Sequence, residues 1–86
     1  MPCISRFFGI LIYMYHRDHS PPHFHAEYGE DEALYSIMTL DVIRGSLPRR
    51  VHNMVLEWAD LHRNELMADW LLARQNRPLE GIEPLR

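Results

Sequence analysis

From Arg49 to Ala73 the chain carries no glycine and no proline, whereas the residues on either side of that stretch are punctuated by both. This asymmetry constrains the fold more than any other feature: a long helix can form only there, and the first half must turn often. Within the stretch, Met54, Trp58, His62, Leu66 and Trp70 recur at i, i+4, flanked by Val51, Val55 and Leu61, which makes one apolar stripe. Pro48 suits the first turn of such a helix. The pattern predicts one long helix over residues 48–74, with a bend near Asn64, where "HRNE" interrupts the stripe.

Residues 1–45 read mainly as strands. Phe7 to Tyr15, "FFGILIYMY", is β-branched, aromatic and apolar, and predicts a first strand in which Gly9 marks a bulge or a close approach. From His23 to Tyr28 polar and apolar residues alternate, the period of a strand with two unlike faces. The acidic "GEDE", Gly29 to Glu32, then reads as a hairpin loop leading into "ALYSIM". A further short strand is expected at Leu40 to Ile43, ending at "RGSL". The expected fold is therefore α+β: an antiparallel meander of three or four strands followed by one long C-terminal helix packed on the sheet. All of it is one domain, residues 1–86. Residues 75–86 hold two prolines and a glycine and predict an extended arm. Its Ile82 and Leu85 are candidate partner-binding residues.

A net charge of −3 disfavours a long electrostatic track for nucleic acid. The short basic clusters at Arg49-Arg50 and Arg74 to Arg77 read as solvated surface. One cysteine, Cys3, cannot form an intrachain disulfide, which suits a reducing cytoplasm. The apolar run is too short to span a bilayer, so a cytoplasmic location and no membrane partner are expected.

Four of the six histidines lie in "HRDHSPPHFH", His16 to His25. Pro21 and Pro22 stiffen the turn, and beyond it His23, His25 and Glu27 share one face of an extended strand, roughly 6–7 Å apart at successive steps. Two imidazoles and a carboxylate suit Zn²⁺ or Fe²⁺, with His19 or Asp18 folding back over the turn. The candidate metal ligands are His19, His23, His25 and Glu27; the candidate catalytic residues are Asp18, His19, His23 and His25. An acid/base role, with Asp18 orienting an imidazole, and a purely structural hydrogen-bonded turn stay open beside metal binding. His62 reads as a partly buried imidazole with a polar partner, and Trp58 and Trp70 read as core.

The blocks "MPCISRFFGI", "DHSPPHFHAEY", "GSLPRR", "LEWADLHRNEL" and "IEPL" resemble, over essentially the whole chain, the small bacterial proteins of domain-of-unknown-function family 4160. The hallmark DHxPPHFH is carried here by Asp18, His19, Pro21, Pro22, His23, Phe24 and His25. The resemblance implies a component, the toxin rather than the antitoxin, of a bacterial type II toxin-antitoxin-like pair. The implied partner is a small cognate protein of domain-of-unknown-function family 2442, and a homodimer is a further expectation. His16 departs from the aromatic residue usual in relatives, which leaves it outside the shared site. Two other functions fit the residues themselves: a metal-dependent hydrolase or nuclease acting on a phosphoester, and a non-catalytic binding or regulatory module.

Overall fold

Backbone angles decide the first half. In the computed structural model, which describes residues 3–86, strands β1 (Cys3–Phe7) and β2 (Ile10–Tyr13) flank a two-residue loop. Phe8 has φ +49° and Gly9 φ +80°, the pair of left-handed conformations a type I′ hairpin requires and glycine adopts most readily. The apolar run expected to be a single strand is therefore a hairpin, with Phe7 paired to Ile10. Strands β3 (His23–Tyr28), β4 (Asp31–Ser36) and β5 (Val42–Gly45) complete a sheet of five strands. The expected antiparallel meander holds, in the order β1-β2-β3-β4-β5, but with five strands rather than three or four.

A second turn is tighter than its sequence suggested. Tyr28 pairs directly with Asp31, so only Gly29, at φ +60°, and Glu30 form the loop. Asp31 and Glu32 become strand residues, and Glu32 sits opposite Glu27. Directly paired residues share a face. One face therefore carries Phe24 and Ala26 with Tyr35 and Ala33, and the other carries His23, His25 and Glu27 with Ser36, Leu34 and Glu32.

Two helices follow rather than one, α1 (Arg49–Leu61) and α2 (Arg63–Arg74), divided at His62, whose φ −124° and ψ 26° leave the helical region. The break falls two residues before the expected bend, and His62 pairs with Glu65 in the first turn of α2. A straight helix over residues 48–74 would be about 40 Å long, more than the molecule's largest dimension of 33 Å. Dividing it lets Trp58 of α1 pack on Phe7 and Phe24, on one sheet face, while Trp70 of α2 reaches His23, whose side chain belongs to the other. Both tryptophans are core residues, as expected.

The C-terminal arm docks on its own domain. Ile82 N–H donates to Ile4 O at 2.8 Å, and Trp58 Nε1–H donates to Glu83 O at 2.8 Å. Ile82 is buried and Leu85 packs partly buried against the core, so both candidate partner residues face the protein's own interior. Among the described residues no helix is long and apolar enough to cross a membrane.

Candidate metal centre

His23 and His25 reach the same sheet face because strand geometry sends i and i+2 the same way. Asp18 reaches them from the loop between β2 and β3, which is pinned at several points. His16 Nε2–H donates to Arg77 O at 2.9 Å, Arg17 N–H to Ala73 O at 3.2 Å, and His23 Nδ1–H to Pro21 O at 2.7 Å. The Ser20–Pro21 peptide is cis. The result is convergence on one atom: Asp18 Oδ2 lies 3.0 Å from His23 Nε2 and 3.2 Å from His25 Nε2.

Both rings are buried, His23 at 5 % exposure and His25 at 9 %. His23 stands beside Trp70, and the edge of Tyr15 meets His25 with ring centres 4.6 Å apart. Burial pushes the Asp18 carboxyl up, but hydrogen bonds from His25 and the His19 N–H, with the His23 charge and hydrogen bond, outweigh it and hold it below its ordinary value. Burial, then Glu32 and Glu27, push the Tyr15 phenol up, so it stays neutral.

The proton inventory of the two rings is the informative part. A carbonyl only accepts, so His23 Nδ1 carries a proton, and the Nε2 of a neutral ring then aims a lone pair at a carboxylate oxygen. His25 has the matching conflict. Its buried Nδ1 makes no hydrogen bond, and the nearest acceptor, Glu32 Oε2, is 3.4 Å away and poorly aligned. Placing the proton on Nδ1 leaves Nε2 repelling Asp18; placing it on Nε2 leaves Nδ1 repelling Glu32. With both rings neutral a lone pair faces the Asp18 carboxylate, and positive charge between Asp18 and the rings, as a proton on His23 or a bound cation, removes that conflict.

A divalent ion fits that requirement. Ligand atoms each about 2.1 Å from one ion at tetrahedral angles lie roughly 3.4 Å apart. Here the three candidate donors, Asp18 Oδ2 and the two imidazole nitrogens, all lie within 4.8 Å of one another. His23 Nδ1–H on a backbone carbonyl, and His25 Nδ1 facing a carboxylate, are the outer contacts that orient metal-bound histidines. Two histidines and one carboxylate leave coordination positions open. Beside them is a cleft of about 210 Å³ whose walls include Ser20, Leu34, Ile43 and Arg44.

Of the residues singled out in the sequence, Asp18, His23 and His25 come together. His19 remains exposed outside the set, its N–H donating to Asp18 Oδ1 at 2.8 Å. Glu27 lies on the histidine face of β3 but outside the cluster. Glu32 is the carboxylate that faces His25, and it was missed because "GEDE" read as a loop. The spacing of a two-residue turn with Gly29 at its first position was the signal available for it.

No curated protein and no solved structure matches the chain. A family model described as "Domain of unknown function (DUF4160)" matches residues 9–71, which span β2 to most of α2 and include the whole histidine segment. By that match over most of its length, the chain belongs to the DUF4160 family.

Proposed function

We propose that the protein is a divalent-metal-dependent hydrolase acting on a phosphoester, with Asp18, His23 and His25 as the ligands. The single observation that carries this reading is the donor set: two buried imidazoles and a carboxylate converge, their donor atoms all within 4.8 Å of one another, and two neutral rings leave a lone pair facing the carboxylate. A bound divalent ion would supply an acidified water and a Lewis acid for the phosphoryl oxygens. The chain's own residues do the rest. Pro21 O orients the His23 ring, Glu32 faces His25, Trp70 and Tyr15 pack against the two rings, and the adjoining clefts leave Asp18 open to the ester. In the reaction the oxygen of water bonds to phosphorus and the ester P–O bond breaks. The proton given up by the water ends on the leaving oxygen, so the products are an alcohol and a phosphate.

Elemental analysis of the untagged protein beside a His23→Ala/His25→Ala variant tests the assignment. About one equivalent of Zn, Fe, Mn or Ni, lost in a variant that keeps its circular dichroism, is the expected result. No bound metal after supplementation overturns it.

A second reading concerns setting rather than chemistry: the chain acts in the cytoplasm as the toxin of a toxin-antitoxin-like pair, held by a small partner of family 2442. It is favoured by the β5 edge, where Val42 and Ile43 are exposed and Ile43 borders the cleft, so a partner adding a strand there would also cover the site. Co-expression with a family 2442 protein should give a stable complex and relieve any growth arrest; a chain that neither arrests growth nor forms the complex contradicts it.

A further inference from the structure

Asp18 is the shared wall of two clefts. Behind the loop that carries it lies a second, of about 480 Å³, bounded by Arg17, Asp18, His19, Ser20 and Arg74. Two arginines from distant parts of the chain are fixed there by backbone. Arg17 sits in the left-handed region at φ +57°, a conformation that strains a residue with a β-carbon, and its N–H donates to Ala73 O, next to Arg74. Arg74, in the last turn of α2, reaches Ser20 Oγ at 3.4 Å.

Neither guanidinium has a carboxylate partner: among the described residues the arginine–carboxylate pairs are Arg63–Asp60 and Arg86–Glu83. Arg44, on the wall of the first cleft, is likewise unpaired. Three guanidinium groups without a carboxylate partner thus line the two clefts that share Asp18, in a chain whose net charge is −3. All nine basic residues of the chain are arginine and none is lysine. The guanidinium fork matches oxyanions two oxygens at a time, where an ammonium would act as a point charge.

Resting on the metal-site reading above, we propose that the Arg17–Arg74 cleft binds the phosphate of a small phosphomonoester, with the two guanidinium groups on its non-bridging oxygens. Two guanidinium forks ask for more oxygens than a carboxylate offers, and a monoester phosphate presents three. The negative net charge opposes a long polyanion. Arg17 and Arg74 are then residues that select the substrate, and the metal ligands stay as assigned.

The test is calorimetry on the Zn²⁺-loaded protein with inorganic phosphate and a nucleoside 5′-monophosphate, for the native chain and an Arg17→Asn/Arg74→Gln variant. Zn²⁺ titrations run in parallel. Phosphate and mononucleotide affinity are expected to fall about tenfold or more in the variant, with Zn²⁺ affinity unchanged. Intact Zn²⁺ affinity with undiminished phosphate affinity overturns the substrate assignment and leaves the metal site standing. A native chain that takes up no metal overturns both. Tighter binding of a 5′-phosphorylated oligonucleotide than of the mononucleotide overturns the small-substrate assignment. Should the double variant fail to fold, the exposed Arg74→Gln change alone carries the same comparison.

Discussion

Glu27 and Glu32 face each other across β3 and β4, one residue type at one sheet level, yet only Glu32 comes within reach of a ring nitrogen of His25. That difference separates an outer contact of the proposed metal centre from a bystander. Glu32→Gln is expected to weaken Zn²⁺ binding by roughly tenfold and Glu27→Gln to leave it unchanged, both read by competition with a chromophoric chelator. A second residue reports on the core. Burial pushes the Tyr35 phenol up to about 12 from an ordinary 10.0, and it stays protonated to bond His52 Nδ1 at 2.8 Å. Between those values the unfolded chain releases the Tyr35 proton and the folded chain retains it. Stability present below pH 10 is then lost as pH rises toward 12, by up to about 2–3 kcal/mol. Chemical denaturation at several alkaline pH values should show that decline, and Tyr35→Phe should remove this residue's share of it.

Strand β5 is joined to β4 at a place where only glycine fits. A Cβ on Gly45 would lie 2.1 Å from Glu32 O, and Gly45 has φ +78°, so both the space and the backbone angle exclude a side chain. Gly45→Ala is expected to cost more than about 1 kcal/mol, seen as a lower Tm. Because the displaced backbone belongs to Glu32, the same variant should also weaken Zn²⁺ binding. Unchanged Tm and metal affinity would show that β5 does not hold β4 in place. The helical region illustrates what a periodic pattern conveys. The stripe from Val51 to Trp70 marked Val51, Val55, Trp58, Leu66 and Trp70, which are buried, but also Leu61, which is 69 % exposed, and periodicity is local and carries no information on the size of the molecule. The break at His62 keeps both helices within the molecule's largest dimension of 33 Å.

At the scale of the molecule, the arm closes the fold. Ile82 at 6 % exposure joins the core that Trp58 centres, and the backbone bond to Ile4 ties the last residues to β1, leaving β5 as the open sheet edge. Ile82→Ala is expected to destabilise the whole domain by about 2–3 kcal/mol, measured by urea denaturation with a single transition. A loss below about 0.5 kcal/mol would mean that the arm is a detachable appendage.

The sequence by itself determined the order of elements, the break between a strand-rich half and a helical half, and the shared face of His23 and His25. These are short-range properties, set by alternation along one strand and by where glycine and proline fall. It did not determine that "FFGI" turns back on itself, because a two-residue hairpin and a bulged strand have the same composition there. Nor did it determine which carboxylates join the histidines. Asp18 arrives through a loop laced to the end of α2, and Glu32 through the register of β3 against β4. The first depends on contacts between segments distant in sequence, which only the closed tertiary structure brings together; the second depends on where the β3–β4 turn begins, which the composition of "GEDE" leaves undecided.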